Sequence, residues 1–266
     1  RQARVEANVK ATLERLRRFQ ATDGGFGYWP GDDDSADWAT SYGGHFAVEA
    51  QKAGYLPPPG LLDQWTAFQR RRARGWAPAS GRAAAGQSEL VQAYRLYTLA
   101  LAGAPELPAM NQLRERDRLP VAAKWRLAAA YQLAGQPEAA RALAAHGPVT
   151  IAPYRELGFT FGSDLRDRAM ILEAVVLLDL AEHTGPLVRG VSESLSKSQW
   201  LGTHETAYAL LALAKAVGGT KGGAEARFSF AWGGGAPTAV TSGAPVVERR
   251  LDAGRATAPK LVVRNT

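Results

Sequence analysis

Apolar positions along the chain fall into two alternating kinds of helical segment. The first, about Val5 to Phe19, sets Val5, Val9, Leu13, Leu16 and Phe19 on one stripe, with Arg4, Lys10, Arg15, Arg17 and Arg18 around it. That is the pattern of a helix that buries one face. The next, about Trp38 to Ala53, carries little charge before Glu49 and Lys52 and reads as buried on most sides. Leu61, Leu62, Trp65 and Phe68 then stripe a polar helix, after which Ser88 to Ala102 is largely apolar. A short segment around Met110 to Arg118 precedes an apolar Val121 to Ala134, and Pro137, suited to a first helical turn, introduces Glu138 to Ala145. Asp164 to Ala181 and Thr203 to Val217 are apolar, and between them Leu187, Val188, Val191 and Leu195 stripe a polar helix.

The apolar segments begin near Trp38, Ser88, Ala122, Asp164 and Thr203, a repeat of about 40 residues and therefore a stack of helical hairpins. A helix with one apolar stripe suits an outer position, and a helix apolar nearly all round suits an inner one. Two concentric rings meet both demands better than a linear solenoid, whose inner helices would line an open concave face. The expected fold is mainly α, an α/α toroid of about five outer and inner pairs over residues 1–221. After Gly222 the pattern changes to short β-prone runs, Phe228 to Trp232, Val246 to Leu251 and Lys260 to Arg264, separated by Gly and Pro turns. Residues 222–266 are expected to be the start of a β module completed elsewhere.

Composition narrows the chemistry. At 266 residues and 46% hydrophobic content the chain can bury a large core. It has no run of the roughly 18 apolar residues that cross a bilayer, and no basic-then-apolar segment opens it, so either it is cytoplasmic or an export signal is expected outside it. With no cysteine it holds no disulfide, thiolate metal site or cysteine nucleophile. Its net charge is +7, but the main basic cluster, Arg70, Arg71, Arg72 and Arg74, ends a helix, where cations suit the macrodipole. No aromatic and basic interleaving accompanies it, so no nucleic-acid partner is expected.

The most informative stretch is Gln20-Ala-Thr-Asp-Gly-Gly-Phe-Gly-Tyr-Trp29, a glycine-rich turn between helices whose rings are expected to be buried. Asp33-Asp34-Ser35-Ala36-Asp37 has the Asp-Asp-x-x-Asp form that binds magnesium in some terpene synthases, but it follows Pro30-Gly31 in a loop and no second acidic cluster supplies further ligands. It reads as a solvated loop at a helix N-terminus, with Asp37 as the cap. His45, His146, His183 and His204 show no metal-ligand spacing and are expected to be structural or surface residues. His204 with Glu205 could form an acid-base pair, but Thr203 as a helix cap with a polar first turn accounts for them. Arg166 and Arg168 with Asp164 and Asp167 are expected to link hairpins at the ring's end, and Gly233-Gly-Gly235 lacks the context of a phosphate loop.

Several motifs in order carry a family resemblance: Asp23-Gly-Gly-Phe-Gly-Tyr-Trp-Pro30, Trp38-Ala-Thr-Ser-Tyr-Gly-Gly-His-Phe46, Trp125 to Gly135, Ser163-Asp-Leu-Arg-Asp-Arg168, and Thr203-His-Glu-Thr-Ala-Tyr-Ala-Leu-Leu-Ala212. Over about residues 1–220 the chain resembles the thioester-domain region of bacterial alpha-2-macroglobulins, and its tail resembles part of the adjoining β-sandwich. The resemblance implies a periplasmic or cell-envelope protease inhibitor, not an enzyme. It implies that a bait segment is cut, the protein rearranges, and the protease is enclosed or covalently attached. Its partners would be target proteases and other domains of the same polypeptide, with membrane attachment only through an anchor outside this chain and no cofactor or metal. The family's covalent capture uses a Cys-x-Glu-Gln thioester, which a chain without cysteine cannot contain. The resemblance implies six hairpins with the thioester in the first, so the chain is expected to lack that hairpin. Trp38, Tyr42 and Gln87 are the expected thioester-pocket residues. Some complement-type relatives place a histidine near the thioester to favour hydroxyl groups. The corresponding Gly86-Gln87-Ser88-Glu89 has none, which implies direct attack by amines. The alternative is a toroid enzyme acting on terpenoid or polysaccharide substrates, which needs paired carboxylates in its cavity.

Overall fold

The computed structural model describes residues 2–79, 81–145, 147–197, 200–218, 226–242 and 260–265. His146 and the Val246 to Leu251 run lie outside the described residues. Ten α-helices are present among them: α1 (Gln2–Leu16), α2 (Asp37–Lys52), α3 (Leu61–Arg74), α4 (Arg82–Leu101), α5 (Leu107–Arg114), α6 (Val121–Leu133), α7 (Pro137–Ala144), α8 (Asp164–Leu177), α9 (Ala181–Ser196) and α10 (Thr203–Gly218). Helix α4 starts ahead of the apolar run that marks it, and α8 stops short of Ala181, with Asp179 taking a left-handed conformation just beyond it. No helix among the described residues is long and apolar enough to cross a membrane.

The alternation in the sequence is the alternation in space. Helices α2, α4, α6, α8 and α10 pack side by side in that order, and α1, α3, α5, α7 and α9 lie against them from outside. Helix α6 is enclosed on all sides: Ala122, Trp125, Leu127 and Tyr131 point in different directions and all are buried. The small alanines of α6 let neighbouring helices approach closely, and the buried Tyr94 and Tyr97 of α4 fill the interior. The two end helices of the series, α2 and α10, meet through side chains. Trp38 reaches His204, Tyr42 stacks near Tyr208, and Lys215 bonds Glu49. Helix α10 is consequently less enclosed than its apolar sequence predicts, and Leu210 is 56% exposed.

The inner helices are less uniformly apolar than they read. Along the ring axis, Glu173 of α8 receives the hydroxyl of Tyr97 at 2.9 Å, the guanidinium of Arg126 on its other oxygen, and the ammonium of Lys215. Arg126 in turn lies over the ring of Tyr97, 4.4 Å from its centroid. A fully buried carboxylate is tolerated only with such partners. Burial alone would raise the Glu173 pKa, and the surrounding cations drive it well below the usual carboxylate range.

The turn after α1 is tightly specified. Ala21 N–H donates to Gly25 O, Gly27 N–H to Phe19 O and Ala36 N–H to Phe26 O, each at 2.9 Å. Gly24 has a φ of +95°, and a Cβ there would lie 2.5 Å from the Gln64 carbonyl oxygen, so both conformation and space require glycine. Of its rings only Phe26 is buried. Tyr28 is half-exposed and Trp29 is 72% exposed, which corrects the expectation that all three are buried. The β segment forms a three-stranded antiparallel sheet of β1 (Ala226–Trp232), β2 (Thr238–Ser242) and β3 (Leu261–Asn265), with β1 in the middle. Its register places Phe230 opposite both Thr238 and Val263, and Trp232 opposite Leu261, giving one mainly apolar face.

Gly44 is the tightest point of α2 against α3. A Cβ on it would lie 2.0 Å from Cε2 of Trp65, which is fully buried and donates its indole N–H to Thr40 O at 2.8 Å. Gly44→Ala should therefore cost about 1–3 kcal/mol through overpacking, read as a lower urea midpoint with an unchanged slope. An unchanged midpoint would show that Trp65 moves freely.

Candidate functional site

The junction of α2 and α10 opens into an apolar pocket of about 640 Å³. Its floor is Trp38 and Tyr42 of α2 with His204 of α10, one wall is Leu16 and Phe26, and the other is the loop of residues 155–162. Trp38 Nε1 donates to His204 Nε2 at 3.0 Å, and the Tyr42 and Tyr208 rings lie 4.8 and 4.9 Å from the imidazole. An indole N–H only donates, so Nε2 must accept and the imidazole proton sits on Nδ1. Burial, assisted by the nearby Arg166 charge, lowers the His204 pKa to about 4, so the ring is neutral at physiological pH.

Arg166 anchors the wall. It is fully buried, lies 4.7 Å from the Trp38 ring centroid, and donates to Thr160 O at 2.5 Å and to Asp167 Oδ1 at 2.7 Å. Tyr154 bonds the other Asp167 oxygen at 2.7 Å. The charged opening of α8 thus pairs within its own helix, Arg166 with Asp167 and Arg168 with Asp164, and binds the preceding loop, where the sequence suggested ion pairs between hairpins. Arg155 pairs with Glu205 at 2.9 Å and lies over the Trp200 ring. Phe159 and Phe161 both take positive φ, 47° and 49° respectively, a strained conformation for a bulky residue. The Tyr28 and Phe161 rings meet edge to face at 5.9 Å. Tyr28, Leu157, Phe161 and Trp200 leave the pocket mouth exposed and apolar.

Trp38 and Tyr42 lie together in this pocket. Gln87 does not. It lines a neighbouring cleft of about 390 Å³ and hydrogen-bonds Glu156, whose residue borders both. Asp33 and Asp34 face solvent in a loop while Asp37 is drawn away to Arg72 and Arg95, so the Asp-Asp-x-x-Asp residues share no face. Asp37 is the first residue of α2 and not its cap, a position held by Ala36. Burial opposes the Asp37 charge, and the hydrogen bonds and charges of Arg72 and Arg95 overcome it, lowering the pKa. His204 and Glu205 are not an acid-base pair, since Glu205 is bonded to Arg155 and to Gly202 N–H. Thr203 is the first residue of α10, and Glu205 caps that end. His204 and the 155–162 loop escaped the sequence reading of the pocket. Their signal is weak, because residues 166 positions apart meet only once the ring closes.

No protein-family model and no curated protein sequence matches the chain. Its structural neighbours are bacterial alpha-2-macroglobulins. It aligns with Escherichia coli alpha-2-macroglobulin spanning domain MG7 to the C-terminus at a TM-score of 0.73 and 20% identity, over 97% of this chain and 39% of that one. The trypsin-activated E. coli protein aligns at a TM-score of 0.69 and 20% identity, over 98% of this chain and 17% of that one. Salmonella alpha-2-macroglobulin reacted with methylamine aligns at a TM-score of 0.71 and 18% identity, over 95% of this chain and 15% of that one. The chain therefore has the fold of one region of these longer proteins.

The His204 environment sets a pH dependence. The fold favours the neutral ring, so an unfolded chain binds the proton at its ordinary value of 6.5 while the folded one resists until about 4. The contribution is fully present above the unfolded value and is lost progressively as pH falls towards 4. His204→Gln, which also offers an acceptor to Trp38, should lose less unfolding free energy than the wild type between neutral pH and the lower value. Parallel urea curves for the two proteins would contradict the assigned neutral state.

Proposed function

We propose that the chain is the thioester-domain toroid, with the first part of an adjoining β-sandwich, of a bacterial alpha-2-macroglobulin-like protease inhibitor working by bait and trap. The observation that carries this reading is the apolar pocket at the junction of α2 and α10. Those two helices are joined by side-chain contacts; Tyr42 lines the pocket, and α2 and α10 also carry the part-buried Phe46 and the exposed Leu210. A further helical pair supplied from outside these residues would pack over these surfaces, alongside the existing contacts, and complete six pairs. The chain contains no cysteine, so its part is to supply scaffold and pocket, and the thioester itself comes from outside these residues. The likeness to trypsin-activated E. coli protein supports proteases as the targets of the complete polypeptide. The periplasm or cell envelope is the compartment that goes with this reading.

The pocket chemistry bears on what attacks the thioester. His204 is the histidine nearest to Trp38 and Tyr42, but its Nε2 lone pair already accepts the Trp38 proton and its Nδ1 is protonated. It offers neither a nucleophile nor a base while that bond holds. Direct attack by an amine, which needs no histidine, is the favoured route, and the methylamine-reacted Salmonella relative supports it. The carboxylates at the pocket edge, Glu156 and Glu205, are occupied by Gln87, Thr160, Arg155 and Gly202. That arrangement speaks against the general acid and base of a toroid hydrolase or cyclase at this site.

The reading is tested on the complete polypeptide that carries this chain, mixed with trypsin and assayed on a small chromogenic peptide and on a large protein substrate. A trap abolishes cleavage of the large substrate and spares the small one, and any adducts resist hydroxylamine as amides do. Equal inhibition of both substrates, or of neither, would overturn the trap, and hydroxylamine-sensitive ester adducts would overturn the amine route alone.

A further inference from the structure

On the ring axis, away from the pocket, we infer a divalent transition-metal site formed by His45, Glu49 and Glu173, in which the Lys215 ammonium sits as a displaceable stand-in cation. His45 and Glu49 are four residues apart on one face of α2, and α8 brings Glu173 against them. His45 Nε2 lies 3.5 Å from Glu49 Oε1 and 3.7 Å from Glu173 Oε1, and the three ligand atoms fall within 4.8 Å of one another. Donors bound tetrahedrally to zinc at about 2.0–2.1 Å are separated by about 3.3 Å. The three atoms thus surround one point at close to ligand spacing.

The supporting groups are those a metal centre uses. His45 is 3% exposed and its Nε2 is buried without a hydrogen-bond partner. Its Nδ1 lies 3.0 Å from the Tyr94 hydroxyl oxygen. When that oxygen accepts the Nδ1 proton, the Nε2 lone pair is aimed between the carboxylates, as outer-shell partners of metal-bound histidines arrange. Arg126 takes Glu173 Oε2, and Oε1, which also accepts the Tyr97 hydroxyl at 2.9 Å, lies at the shared point. The set of one imidazole and two carboxylates suits Zn²⁺ and Co²⁺ and leaves a fourth position for water.

Lys215 accounts for the charge. Its ammonium bonds both Glu49 Oε1 and Glu173 Oε1, the same two oxygens that face His45. With Arg126 it already neutralises the two carboxylates, so a divalent ion enters in exchange for Lys215 and not in addition to it. The exchange has a route. Lys215 keeps 28% of its side chain exposed and, with Glu49 and Glu173, lines a cleft of about 970 Å³ into which it can withdraw. Metal binding would then tie α2 to α8 while releasing one link between α2 and α10.

The test is calorimetric titration of Zn²⁺ into the wild-type chain, Lys215→Met, and Lys215→Met combined with His45→Phe, with His183→Gln as a surface-histidine control. Lys215→Met should take up one Zn²⁺ per chain at least roughly tenfold more tightly than the wild type, the scale on which supporting groups alter metal affinity. The added His45→Phe should abolish that uptake and His183→Gln should not. Absence of uptake by folded Lys215→Met, or uptake that survives His45→Phe, overturns the site. If Lys215→Met does not fold, the wild type in excess Co²⁺ carries the test. A tetrahedral Co²⁺ absorption band that His45→Phe removes supports the site, and no band overturns it.

Discussion

The rest of this structure depends on one constraint: a series of five inner helices bent towards a ring must join its two ends. The successive inner helices pack closely, but α2 and α10 are bridged by Trp38 with His204, Tyr42 with Tyr208, and Lys215 with Glu49. The last link continues into Glu173 of α8 and through it to Arg126 of α6, so four inner helices share one largely buried ionic cluster. Removing a single partner from such a cluster leaves a charge without solvent, which is why its members act as a unit.

The same junction makes the pocket. Where two helices meet only by their side chains, space remains beside them, and the 155–162 loop folds over that space on the Arg166 network. Arg166 touches both the loop backbone and the Trp38 ring. One buried guanidinium therefore couples the wall of the pocket to its floor. The strained Phe159 and Phe161 backbones lie on this wall, where strain is stable only because the surroundings hold it.

The architecture was legible because it is local. A stripe of Leu61, Trp65 and Phe68 against arginines, or the continuous apolar run of α6, reports its own degree of enclosure without reference to the rest of the chain. The family resemblance singled out Trp38 and Tyr42, which the structure brings together in one apolar pocket. Gln87 lines a neighbouring cleft, a placement the sequence does not reveal because the direction it faces depends on Glu156, which arrives from the distant loop. Trp29 was read as buried on hydrophobicity alone, whereas the turn spends its interior on Phe26. The axial cluster went unseen although His45 and Glu49 have helical same-face spacing, since Glu173 and Lys215 join them only after closure.

A double-mutant cycle across the α2 and α10 junction tests this account most directly. Unfolding free energies would be measured for wild type, Glu49→Gln, Lys215→Met and the double variant. Side-chain closure predicts a coupling energy of about 1–3 kcal/mol, as for residues in one buried ionic network. Additivity within about 0.3 kcal/mol would contradict it and show that the Lys215–Glu49 link does not hold α10 to α2.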